Sequence, residues 1–242
     1  MFNQYYFIKI IRIFVITKTS LMNKLYIFAV GVICSFVLMN IDATAQAFRK
    51  GSLLISASEG TTWSKYTTGT TNTTNDVLHH ENINGDRDPL TLEYGITDHL
   101  GIGINMGGDV FRVDPSKFYN FQASTHNVKV FMSEFTFDGN YHFYVTKKLD
   151  LCAFTSLGFS SVTFKGNDGD HSYNYEAGGG IIRVGAKAKY YFFRRFGVMG
   201  MLSAFSANCS SKGVKGNTVG EGYNTSIKGA ALEFGLCYRI LR

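Results

Sequence analysis

The chain has 242 residues with 26 Gly, 21 Phe and 14 Tyr but only 2 Pro, and it is poor in the Leu, Ala, Glu and Lys that build helices; one all-β domain is the expected class. Part of the formal charge of +6 lies in Lys9, Arg12, Lys18 and Lys24, and the chain from Phe48 onward keeps 20 basic against 17 acidic residues, evenly mixed. No run of Lys and Arg is suited to tracking a phosphate backbone, so a nucleic-acid partner is excluded.

In chain order, the first element is an export signal. Met22-Asn23-Lys24 is followed by an apolar stretch from Leu25 to Met39 and by Ala43-Thr44-Ala45-Gln46-Ala47, which offers small-residue cleavage sites. Residues 1–47 are therefore expected to be an N-terminal extension plus signal peptide, with the true start at Met22, and 48–242 the mature domain. Past residue 47, Gly and polar residues interrupt every apolar run before it is long enough for a helix to span a bilayer.

Strands take over from there. Leu90, Leu92, Tyr94 and Ile96 alternate with Thr91, Glu93, Gly95 and Thr97; after Asp98-His99, Leu100, Ile102, Ile104 and Met106 alternate with Gly101, Gly103, Asn105 and Gly107. Two period-two runs about a minimal turn make a hairpin with one greasy side and one small or polar side. The same reading along the chain predicts eight strands, at 51–60, 88–97, 100–112, 129–146, 149–164, 177–193, 196–208 and 226–241. Connections at 98–99, 147–148 and 194–195 are short, while 61–87, 113–128, 165–176 and 209–225 are long and rich in Gly, Asn, Thr, Ser and Asp. Strands of about ten residues cross a bilayer only if the sheet closes, so the expected architecture is an eight-stranded antiparallel up-and-down transmembrane β-barrel. The alternating rhythm puts both termini on the short-turn side, and the long loops face out of the cell.

The segments Leu92-Glu93-Tyr94-Gly95-Ile96-Thr97-Asp98-His99-Leu100-Gly101-Ile102-Gly103 and Gly235-Leu236-Cys237-Tyr238-Arg239-Ile240 resemble the outer-membrane-protein β-barrel domain family common in Bacteroidetes, small barrels of the OmpA/OmpX type. The resemblance covers essentially all of 48–242 and is one of architecture. It implies a Gram-negative outer-membrane location, with outer-membrane lipid and lipopolysaccharide as neighbours. Such barrels usually close on an aromatic residue, and here Tyr238 is the last, followed by Arg239-Ile240-Leu241-Arg242.

Two sets of side chains follow from the alternation. Tyr94, Phe143, Phe192, Phe196 and Tyr238 fall on the lipid-facing parity near a short turn or the C-terminus, the expected membrane-interface girdle. Glu93, Glu134, Asp138, Arg183, Lys187, Lys189, Glu233 and Arg239 fall on the opposite parity and are expected to form a lumen salt-bridge network, because charges buried singly in so narrow a barrel are costly.

Other motifs carry less. Gly101, Gly103 and Gly107 mimic a dinucleotide loop, but no helix follows, and small inward residues explain them better. His79-His80-Glu81 and Asp168-Gly169-Asp170-His171 read as ordinary turn residues, so no metal and no cofactor is expected. The Thr-rich run from Thr61 to Thr74 reads as a surface loop, and Cys152, Cys209 and Cys237 as reduced buried thiols.

The expected function is a non-enzymatic, monomeric outer-membrane mount whose long loops contact an extracellular protein or host surface. A lipid A acylase or deacylase would need His, Ser and a carboxylate gathered at one membrane face, and the His-x-Ser of a deacylase strand is absent. A narrow pore is the other alternative, for which paired lumen charges leave little room.

Overall fold

The computed structural model describes residues 47–70, 79–113, 127–167, 172–211 and 223–241. Of the expected N-terminal extension and signal peptide, 1–47, Ala47 alone is among them; the rest, with the expected start at Met22, lies outside. Nine antiparallel strand segments are present: β1 (Leu53–Thr70), β2 (His79–Arg87), β3 (Leu90–Gly95), β4 (Leu100–Arg112), β5 (Asn127–Val145), β6 (Leu149–Asn167), β7 (Ser172–Tyr191), β8 (Phe196–Ser211) and β9 (Tyr223–Leu241). Neighbouring strands pair around the sheet, and β1 also pairs with β9, so the sheet closes on itself.

Nine segments fill eight positions of the ring, because β2 and β3 lie end to end between β1 and β4. Gly60 pairs with Arg87 and Ala57 with Leu90, so the register runs through Asp88-Pro89 without a slip. Flanking ladder bonds survive there, with Asp88 N–H donating to the Gly108 carbonyl at 3.1 Å and Ser58 N–H to the Pro89 carbonyl at 3.1 Å. The break is a missing donor, since proline has no N–H to give the ladder.

The strands outrun the sequence expectation at the loop end. Residues 61–70 and 79–87, expected as one long loop, are wall, and Thr61–Thr70 of the Thr-rich run continues β1. Most of 165–176 is also strand, so the connection between β6 and β7 shortens to 168–171 and the strict alternation of long and short connections fails there. β-branched threonine favours such extended wall, and Thr62, Ser64 and Tyr66 turn inward and are buried. At the other end the turns fall at 96–99, 146–148 and 192–195, as the short connections require.

Strands of 18 to 20 residues are about twice what a bilayer crossing needs, and the wall changes character midway. Toward the turn end its exterior is apolar and exposed, with Ile102, Phe137, Leu157, Phe159, Leu202 and Phe234 between 53% and 70% accessible. No water-soluble surface leaves such a continuous belt bare, and this belt is the lipid-facing band of a transmembrane barrel. Toward the loop end the same outward parity carries Asn82, Asn84, Asp86, Ser133, Ser161, Asn208 and Asn224.

The interior inverts in step. Beside the belt the lumen is charged, whereas behind the polar wall it is an apolar core of Tyr66, Ile83, Phe111, Val130, Met132, Val162, Phe164, Ile181, Phe205 and Ile227 with smaller partners. The lower half is thus built for lipid and the upper half for water.

The belt leads to a direct expectation. The protein should require detergent for extraction and run at different gel mobilities before and after boiling, as closed barrels do; recovery in a soluble fraction with a single mobility would contradict the lipid-facing assignment.

Candidate functional site: the buried charge network

Inward parity brings charged side chains from across the ring into the lower lumen. Among the described residues, the buried acids are Glu93, Asp109, Glu134, Asp138, Asp150 and Glu233, and the buried bases Arg87, Arg183, Lys187, Lys189 and Arg239, with His142 beside them.

Arg87 is the centre of the upper group. Its Nε donates to Glu233 Oε1 at 2.8 Å, Nη1 to Asp109 Oδ2 at 2.9 Å, and Nη2 to Glu134 Oε1. Arg183 donates to the other Glu134 oxygen at 2.8 Å and to Ser203 Oγ at 3.1 Å, and its guanidinium lies 4.5 Å over the Phe205 ring. The remaining oxygens are taken by hydroxyls: Thr62 donates to Asp109 at 2.6 Å and Ser58 to Glu233 at 2.9 Å. A planar guanidinium with a fixed fork of donors suits three converging carboxylates in a way an ammonium would not.

The lower group is organised by His142. Its Nε2 lies 2.7 Å from Glu93 Oε1 and its Nδ1 2.7 Å from Asp150 Oδ1. A neutral imidazole has one donor and one acceptor, so a ring facing carboxylate oxygens on both sides donates from both nitrogens as imidazolium. Counted that way, six buried acids meet six buried cations and the lumen is neutral. Lys189 donates to Glu93 at 2.7 Å, and Lys187 to Asp138 at 3.4 Å and Asn140 at 3.1 Å, with its ammonium 4.3 Å over Phe154.

The turn end is stoppered by the start of the described chain. Phe48 stacks on His142 with ring centroids 3.4 Å apart, Ala47 N–H donates to the Thr146 carbonyl at 2.7 Å, and Arg239 donates to the Ala47 carbonyl at 2.6 Å. Gly101 is small for this reason, since a Cβ there would lie 2.6 Å from Glu93 Oε1 and 3.3 Å from the Phe48 ring.

The eight lumen charges read from the sequence all lie inside, and the structure pairs Arg183 with Glu134, Lys187 with Asp138 and Lys189 with Glu93. Glu233 instead meets Arg87, while Arg239 takes a backbone carbonyl and the Tyr191 ring, 4.8 Å away. Sequence reasoning misses Arg87, Asp109, His142 and Asp150. Asp109 and His142 stand on the inward parity of their predicted strands, a signal that could have found them; Arg87 falls in an expected loop that is wall. Tyr94, Phe143 and Phe192 are 47%, 54% and 48% exposed on the outer face near the turns, with Phe196 and Tyr238 half-buried beside them.

The side chains of His79 and His80, and all of Asp168 to His171, lie outside the described residues. Cys152, Cys209 and Cys237 are free thiols and buried.

No family model and no curated protein matches the chain. Among solved structures it is similar to small outer-membrane β-barrels. The outer membrane protein OprG from Pseudomonas aeruginosa is 10% identical over 82% of this chain and 99% of its own, with a TM-score of 0.49. A major outer membrane protein from Thermus thermophilus is 11% identical over 78% and 99%, at 0.47. The outer membrane protease OmpT from Escherichia coli is 11% identical over 82% and 100%, at 0.43. These likenesses assign no role to any residue described above.

Proposed function

We propose that the chain is a non-enzymatic, non-conducting mount in a Gram-negative outer membrane, holding its loop-end connections beyond the bilayer for contact with an extracellular partner. The observation that carries this reading is the filling of the lumen along its length. Ala47 and Phe48 occupy the turn end, the paired charges the middle, and the apolar core the loop end.

His142 is the side chain best suited to general-base chemistry, and its surroundings argue against that use. Both ring nitrogens are engaged by carboxylates, one face is covered by Phe48, and the side chain is fully buried. A base must reach a proton on its substrate, and here no nitrogen is left to do so.

Reconstituted in planar bilayers, the protein should give no steady conductance, and lipid A incubated with it should be recovered at unchanged mass. Steady channel steps would move the pore reading to first place; loss or gain of an acyl chain would establish a lipid-modifying enzyme.

Orientation gives a further expectation. A tag inserted at 147–148 should stay hidden from antibody on intact cells, while one near residue 72 should be labelled. The reverse pattern would put the turn end outside.

A further inference from the structure

Basic residues scattered through the sequence are brought into line by strand register. Arg112 of β4 stands directly opposite Lys129 of β5, which stands directly opposite Lys165 of β6. All three are exposed on the outward parity. Like charges directly opposite one another on neighbouring strands are destabilising, and Asp86, 3.1 Å from Arg112, is the acid paired with this row.

The row's height says what would meet it. Along β5 the outward residues run from Phe143 near the turn through Tyr141, Phe137 and Phe135 to Ser133, Phe131 and Lys129. At ~3.4 Å per residue and a tilt near 45°, Lys129 stands about 34 Å above Phe143 along the membrane normal. The outward apolar band of such a barrel is about 25 Å tall and ends here between Phe135 and Ser133, so Lys129 stands roughly 10 Å beyond the hydrocarbon, at the level of the headgroups of the loop-end leaflet. Directly below the cations sit Val110, Phe131 and Thr163, and the Lys165 ammonium lies 5.7 Å over the Phe131 ring. From the belt outward the rows run Met106, Phe135 and Phe159, then Gly108, Ser133 and Ser161, then Val110, Phe131 and Thr163, then the three cations, so the charge lies past the lipid edge, where a phosphorylated lipid carries its head.

We infer that Arg112, Lys129 and Lys165 form a binding site for the phosphate groups of a phosphorylated glycolipid in the leaflet at the loop end. The inference rests on the proposed membrane orientation and adds to it a ligand class and three residues. Phosphate oxygens bridging three cations relieve the repulsion that the register imposes, and acyl chains lie down the belt beneath.

The test uses the whole protein in zwitterionic carrier vesicles doped with lipid A, and the same lipid A after enzymatic removal of its phosphates. The wild type should retain the phosphorylated form preferentially. Because each basic residue near an anionic surface contributes about fivefold in affinity, the triple variant Arg112→Gln, Lys129→Gln, Lys165→Gln should lose roughly 100-fold. Lys147→Gln with Lys148→Gln, at the turn end, should lose none. The mobility shift on boiling should persist in both variants, since all five side chains are exposed. Equal retention of the two lipids, or unchanged retention by the triple variant, would overturn the inference. So would displacement of the lipid by millimolar inorganic phosphate, which would mark a site for the free ion. These results leave the mount reading untouched, because that stands on conductance and lipid mass.

Discussion

Replacing Arg87 with methionine should produce the largest loss of stability of any single lumen substitution. Asp109, Glu134 and Glu233 converge on one guanidinium, and all four side chains are fully buried. Removing one partner of a buried ion pair costs about 3–5 kcal/mol, and here three carboxylates lose a shared partner at once. Arg183 still holds one oxygen of Glu134 but does not replace the bonds to Asp109 or Glu233. The midpoint for loss of the fast-migrating unboiled form should fall sharply. Adding Asp109→Asn and Glu233→Gln to Arg87→Met should recover much of the loss, because those two carboxylates lose their cation while Glu134 keeps Arg183. An unchanged midpoint in the single variant would show that the network is wet and loosely coupled.

The second large effect is expected in the upper lumen, from two phenylalanines on one strand. Phe164 is fully buried in the apolar core of the polar-walled half, and Phe159 is 70% exposed on the lipid belt. Phe164→Ala should cost about 3–5 kcal/mol through lost transfer energy and a residual cavity. Phe159→Ala should leave the midpoint in detergent nearly unmoved, since it creates no internal cavity. Trp63, the single tryptophan, sits exposed on β1 and offers a fluorescence readout of the wall. Equal losses in the two variants would mean that the upper half is not a packed core.

The inversion between the two halves also explains what the sequence could and could not reveal. On β5 the inward positions run Val130, Met132, then Glu134, Thr136, Asp138; the outward ones run Lys129, Phe131, Ser133, then Phe135, Phe137, with Phe131 the one aromatic above the polar serine. Alternation persists, but its sense reverses at Glu134. Following the greasy parity along a strand finds the membrane half and stops where the sense flips. That is why the sequence reading ends β1 at residue 60, and begins β7 and β9 at 177 and 226, short of Ser172 and Tyr223. Arg87 escapes for the same reason. Ile83, Gly85, Arg87 and Pro89 continue the buried parity of Thr91 and Glu93, but Gly85-Asp86 and Asp88-Pro89 read as turn residues when no greasy partner alternates with them. Eight lumen charges are legible because they lie on strand stretches whose outward positions are mostly apolar or small. Their partners are not, because pairing across a barrel depends on strand stagger, which one sequence does not display.

A wall that turns polar outside at the level where it turns apolar inside also fixes stand-off. Sliding the barrel outward would drag Phe135 and Phe159 into water, and sliding it inward would draw Ser133 and Ser161 into hydrocarbon, so its depth is locked. From Ser133 to Asn127 the strand continues for about 20 Å at ~3.4 Å per residue, a rigid collar with its own packed interior rather than a tether. Whatever the connections at its rim engage is met at a set distance from the lipid surface. A partner lying flush with the bilayer would meet the collar first, whereas one held above a layer of surface sugars would come within the rim's reach.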